Sequence, residues 1–291
     1  MVTRMSEFRL DLDNNAIFQE YLKDNYFIEG DINTANTVYI YFSSNALYYP
    51  NTLECFDTKI VKNNRYEWTR RCVTGNNIAN IYVRDLFKQW CVVGINSNLN
   101  SLDKVADFLK SLVKHKKVIT VGSSAGGYLA TVFGILLDAD VVFNFSGQFV
   151  LTEEVINEYS LLTKYKNDKT RSKYYSLLPL IEKSTVQIYY FYPAYNKADC
   201  IQKQYVENFT NVHCFGFNTS NHGVPIYPSN LTQLLTRSST ELNAMYDKYK
   251  GKIICQLRFS VETVGLIKSI YSKSRDIARG IYISIKRVIN K

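Results

Sequence analysis

Histidine is scarce in this chain, with three in 291 residues (His115, His213 and His222). None stands at metal-ligand spacing from a cysteine. The six cysteines (Cys55, Cys72, Cys91, Cys200, Cys214 and Cys255) include no Cys-x-x-Cys pair. No metal centre is therefore expected. Cys91 and Cys214 lie in apolar, strand-like runs, which reads as buried free thiols and fits a reducing compartment. Residues 1–15 lack the apolar stretch of a secretory signal. No run approaches the ~20 apolar residues that span a bilayer. The expectation is a protein made and kept in the cytoplasm. Internal repeats and low-complexity tracts are also missing.

What remains is an ordinary globular composition, 46% apolar and 21% charged, long enough for one large α/β domain or two small ones. Tyrosine is abundant at 23 residues, which suits polar, aromatic-lined surfaces such as sugar sites. The net charge of +9 is uneven: residues 251–291 carry nine Lys/Arg against Glu262 and Asp276, leaving the rest close to neutral.

The chain is organised around Lys117-Val118-Ile119-Thr120-Val121-Gly122-Ser123-Ser124-Ala125-Gly126-Gly127-Tyr128. An apolar, β-branched run that reads as a buried strand passes into Ala/Leu/Gly-rich helical sequence. At the junction lies Gly122-Ser123-Ser124-Ala125-Gly126, a Gly-x-Ser-x-Gly match in the strand-to-helix context that the motif requires. Small flanking residues let strand and helix approach closely enough for a sharp turn that exposes Ser124. The Ala125 N–H would then stand at the helix N-terminus, where an oxyanion is stabilised. The plainer alternative is a loop that merely turns or cradles a phosphate.

Around this junction the sequence alternates. Thr37-Val38-Tyr39-Ile40-Tyr41-Phe42 and Trp90-Cys91-Val92-Val93-Gly94-Ile95 read as strands. A helix capped by Ser101 carries Leu102, Val105, Phe108, Leu109 and Leu112 at helical spacing. Strands are predicted at 141–145, 186–192 and 212–217, a helix at about 229–249, and irregular structure or an outer hairpin over residues 1–36. Residues 51–80, with Arg65, Trp68, Arg70 and Arg71, declare no structure. This rhythm argues an α/β fold with a mostly parallel sheet flanked by helices. Residues 151–185 interrupt it with Tyr-rich, charged sequence, either a surface insertion or a cap over the site.

A serine nucleophile needs an imidazole base and a carboxylate to orient it. His115 sits in a Lys-rich helix end and His213 inside a strand, whereas His222 follows the last core strand. Asp199 follows the preceding strand. The order Ser124, Asp199, His222 is that of α/β-hydrolases. Asp168 or Glu182 in the insertion are alternatives for the acid, and a helix N-cap is the alternative role for Asp199.

Three pieces carry a resemblance: Gly122 through Tyr128, Tyr190-Phe191-Tyr192-Pro193 with Asp199, and His222-Gly223-Val224-Pro225. Over residues 37–240 the chain resembles α/β-hydrolase-fold proteins of the kind encoded with bacterial capsule and lipopolysaccharide biosynthesis enzymes. The resemblance implies serine esterase or O-acyltransferase chemistry on a surface polysaccharide or its precursor. It implies no bound cofactor, with acetyl-CoA as a candidate acyl donor. A glycan or an acylated small molecule would be the substrate. Ser43-Ser44-Asn45 stands where such proteins carry a His-Gly-Gly oxyanion motif, making Ser44 the candidate second donor beside Ala125. The rival expectation is a non-catalytic hydrolase-fold scaffold in a membrane-associated glycan assembly complex.

The basic segment divides the chain into a catalytic domain, 1–250, and an extension, 251–291. In the extension Ile267, Ile270, Ile277, Ile281, Ile285 and Val288 recur at three- and four-residue steps among Lys268, Lys273, Arg275, Arg279, Lys286 and Arg287. Such a basic amphipathic helix suits an anionic membrane surface, here the inner membrane, or a glycan-assembly partner. The alternative is a helix packed on the body with a solvated basic face. With a near-neutral body and no binding motif, nucleic acid is not an expected partner.

Overall fold

In the computed structural model, residues 8–271 together with Lys273 and Ser274 are described. The strands are β1 (Tyr26–Glu29), β2 (Thr37–Phe42), β3 (Ile78–Val83), β4 (Lys117–Ser123), β5 (Val141–Phe145), β6 (Ile188–Pro193), β7 (Val212–Phe217) and β8 (Ile253–Ile254). They form one eight-stranded sheet in the order β1-β3-β2-β4-β5-β6-β7-β8. Only β1 runs antiparallel, on β3; every other pairing is parallel. The architecture is α/β-hydrolase-like.

The central strands are buried on both faces, and period-two alternation divides them between two cores. Val38, Ile40 and Phe42 of β2 join the helices Leu102–Leu112 and Ala125–Leu136 on one face. Tyr39 and Tyr41 of the same strand point to the other face, with Phe143, Phe145, Tyr189, Phe191, Phe215 and Phe217. That second face is covered by Leu231–Leu235, Ser239–Tyr249 and Gln256–Val264. Many of the tyrosines serve the core. Tyr39, Tyr41, Tyr48, Tyr82, Tyr128, Tyr189 and Tyr190 are core residues, and phenolic hydroxyls such as that of Tyr128 donate to backbone carbonyls.

Several expected elements move. Residues 90–95 are not a strand. They form tight turns in which Trp90 and Cys91 take positive φ, and the third strand is Ile78–Val83, which begins at the end of the segment that declared nothing. Among the described residues of this stretch, 8–36, stand a helix, Asn15–Tyr21, and the edge strand β1 rather than a hairpin. The expected helix at 229–249 is broken by Ser238, whose side chain and Glu241 form a capping box that starts Ser239–Tyr249. Ser101 does cap its helix, accepting from the Lys104 N–H.

The insertion packs down on the body. Leu161, Leu162, Leu177 and Ile181 are buried, and Arg171 donates to the Val92 and Asn100 carbonyls. The boundary expected at residue 251 also falls inside the body. Ile253 and Ile254 pair with β7 as the last strand, and Phe259 packs edge-on against Phe217. Beyond it, Leu266, Ile267, Ile270 and Tyr271 are exposed, Ile267 at 85%. Arg275 through Lys291, including Ile277, Ile281, Ile285 and Val288, lie outside the described residues. All six cysteines are free, Cys91 buried and Cys214 half-buried. No described helix is long and apolar enough to cross a membrane, and no metal-binding cluster occurs among the described residues.

Candidate active site

β4 delivers the elbow. Ser124 follows its last residue with φ +56° and ψ −126°, a backbone conformation an L-residue keeps only when its surroundings impose it. Packing imposes it. The Ser124 N–H is held by the Phe145 carbonyl at 2.9 Å. A Cβ at Gly122 would run into the Gly126 carbonyl, and one at Gly126 into the carbonyls of Phe42 and Ser43. The glycines therefore serve close approach, and the second contact lays the Ser43-Ser44 segment over the start of the helix.

The base arrives from the loop after β7. His222 Nε2 lies 2.8 Å from Ser124 Oγ. Its Nδ1 lies 2.9 and 3.1 Å from the two oxygens of Asp199. A carboxylate only accepts, so Nδ1 carries the proton, Nε2 is the acceptor, and the Ser124 hydroxyl donates to it. Ser146 pins this loop, its Oγ donating to the Gly223 carbonyl at 2.6 Å.

Asp199 stands in the first turn of the helix Lys197–Val206, after β6. Asn196 takes the N-cap, accepting from Ala198 and Asp199, which leaves the Asp199 side chain for His222. It is 2% exposed, while the His222 side chain is 41% exposed. The dry end of the chain thus lies behind the imidazole and the wet end before it. Asp168 instead binds Thr170 and Arg171, whose hydrogen bonds hold its carboxyl below the usual range, Thr170 most strongly. Neither Asp168 nor Glu182 meets a histidine.

The two candidate oxyanion donors differ. As the first residue of its helix, Ala125 has an N–H with no acceptor inside that helix. Ser44 does not offer a free donor. Its N–H goes to Glu67 Oε2 at 2.6 Å and its hydroxyl to Oε1 at 3.2 Å. An oxyanion would receive the Ser44 N–H only after Glu67 released it. Burial pushes the Glu67 carboxyl above its ordinary range, opposed by the two Ser44 hydrogen bonds.

Chemically, the arrangement moves a proton. If Ser124 Oγ bonded an acyl carbon, its proton would pass to His222 Nε2, and the imidazolium would face a carboxylate.

No protein-family model matches this chain, and no curated protein does. Solved structures resemble it distantly. The capsule O-acetyltransferase of Neisseria meningitidis serogroup A aligns over 77% of this chain and 88% of its own, at 12% identity and a TM-score of 0.49. The Wnt deacylase Notum from Drosophila aligns over 77% and 87%, at 11% identity and 0.43. A lipase-esterase related protein from Clostridium acetobutylicum aligns over 78% and 98%, at 12% identity and 0.41.

Three supporting residues were not anticipated. Asn144 in β5 donates to Thr131 Oγ1 and accepts from the Gly147 N–H, bracing the elbow helix against the strand end. A polar residue in the middle of Val141-Val142-Phe143-Asn144-Phe145 was its visible signal. Ser146, directly after that strand, shares the position. Glu67 had no such signal, because its segment showed no readable periodicity.

Proposed function

We propose that the protein catalyses acyl transfer through Ser124. The observation that carries this reading is the unbroken hydrogen-bonded chain from buried Asp199 through His222 to a serine held on a strained elbow. Ser124 attacks the acyl carbon and His222 takes its proton. The Ala125 N–H stabilises the oxyanion, and His222 returns the proton to the leaving group. Water attacking the acyl-enzyme gives an esterase; a sugar hydroxyl gives an O-acyltransferase.

On the sequence resemblance we take the acceptor side to be a bacterial surface polysaccharide or its precursor. Acetyl-CoA would serve as the donor substrate, and no bound cofactor is needed. The exposed apolar residues Leu266, Ile267 and Ile270, with Lys268 and the basic residues that follow, support docking of the C-terminal segment on an anionic membrane surface.

A fluorophosphonate probe tests the nucleophile. Labelling should map to Ser124 and vanish in His222→Ala, which leaves the hydroxyl but removes its base. Folded wild-type protein that stays unlabelled would leave a non-catalytic scaffold as the better reading.

A further inference from the structure

The triad leaves the segment from Lys59 to Arg71 unexplained. It walls a cavity of about 1180 Å³ that reaches Ser44, Ser123 and Val224, beside the elbow. Lys59, Arg65, Arg70 and Arg71 line it, against a single carboxylate, Glu67. That carboxylate is already engaged by Ser44, and Arg65 approaches it only to 3.9 Å. One helical turn away Lys62 pairs with Asp57 at 2.6 Å, whereas half-buried Lys59 has no ion-pair partner among the described residues, and neither has Arg70. Like charges gathered on one cavity repel one another, and a ligand carrying negative charge relieves that repulsion. Guanidinium forks match phosphate oxygens in pairs, and a lysine adds a point charge. The cavity reaches Ser123, the residue before Ser124 in the chain, so a ligand held there by phosphate has room to extend its other end toward Ser124.

We infer that this cavity binds a phosphate-bearing substrate through Lys59, Arg65, Arg70 and Arg71. The inference rests on the acyl-transfer reading for the direction in which the ligand extends, though not for binding itself. Two sources share the chemistry: the phosphates of a nucleotide thioester donor and those of a phosphorylated glycan acceptor.

Calorimetry on full-length Ser124→Ala protein separates binding from turnover, with inorganic pyrophosphate as the probe. Pyrophosphate should bind with an affinity that falls as salt is raised. Arg70→Gln, at an exposed position, and Lys59→Gln should each weaken it about tenfold, while Lys252→Gln, far along the chain on the opposite sheet edge, should leave it unchanged. Displacement by coenzyme A alone assigns the phosphates to the donor, and displacement by glucose 1-phosphate alone assigns them to the acceptor. Either supports the inference. Absence of binding, an equal loss in Lys252→Gln, or displacement by neither compound would overturn it. A protein that fluorophosphonate labels but that ignores pyrophosphate loses this inference alone. One that binds pyrophosphate without labelling loses the acyl-transfer reading alone.

Discussion

Two strands that flank β2 end in left-handed backbone, and they use it in opposite ways. At the end of β4, Ser124 takes φ +56° among Gly122, Ala125, Gly126 and Gly127, and its side chain emerges toward His222. After β3, Lys88, Trp90 and Cys91 take φ of +55°, +53° and +53°, although all three are large or buried. The elbow is held by what is missing, the side chains of glycines. The β3 turn is held by what is present, the buried carboxylate of Asp85, which accepts the N–H groups of Phe87, Gln89 and Cys91. From that turn Gln89 reaches inward to accept from Leu161 and Leu162, and Trp90 donates to Gln148. One turn presents a serine hydroxyl to His222; the other ties the insertion to the body.

That contrast breaks most sharply at Ser124. Ser124→Ala should lower esterase turnover by on the order of 10³-fold or more with little change in melting temperature. Ser124→Gly should lose as much activity yet stabilise the fold by about 1 kcal/mol, because glycine accepts this φ without strain. Thermal melts and p-nitrophenyl acetate kinetics on both variants check the pair. Equal melting temperatures would mean that the elbow stores no strain.

The β3 turn should behave in reverse. Asp85→Ala strands three buried N–H donors, at a cost of ~3 kcal/mol or more. Denaturant unfolding should show the loss, and the folded fraction at low temperature should retain its reactivity at Ser124. A smaller effect is expected at Glu67. Burial raises its carboxyl, so the folded chain holds that proton more tightly than the unfolded one. Its contribution to stability therefore falls as pH rises through the carboxyl's range. Glu67→Gln should melt above wild type at neutral pH, with the gap closing on acidification. A gap that widens instead would place the carboxylate in a favourable ion pair.

The smallest effect belongs to His213, whose ring donates from Nε2 to Gln187 and stacks on Tyr189. Burial holds it below the ordinary histidine range. The unfolded chain takes up this proton first as pH falls, so stability drops as pH passes down through about 6.5. In His213→Phe the unfolding free energy should vary less steeply between pH 7 and pH 5. An unchanged slope would assign the acid sensitivity elsewhere.

The same contrast explains what could be read without coordinates. The elbow was legible because small residues and a strand-to-helix switch are local signals. Asp199 and His222 followed from chain order and strand ends. The β3 turn was not legible, because Trp90 through Ile95 is continuously apolar and burial in a turn looks like burial in a strand. The true strand, Ile78–Val83, lay hidden by the polar loop before it. Ser44 was the candidate second oxyanion donor, but its N–H goes to Glu67, a contact made across 23 residues that no local pattern announces. Sequence pointed to the segment, and only packing showed what its N–H holds.

The central claim is that Ser124 carries an acyl group. Intact-protein mass spectrometry of samples quenched during incubation with p-nitrophenyl acetate, and separately with acetyl-CoA, tests it most directly. The account predicts a transient acetyl adduct on the wild-type protein, absent from Ser124→Ala, with acetyl-CoA as an effective donor if the enzyme is a transferase. An adduct of equal size on Ser124→Ala, or none from either donor on folded wild-type protein, would contradict it.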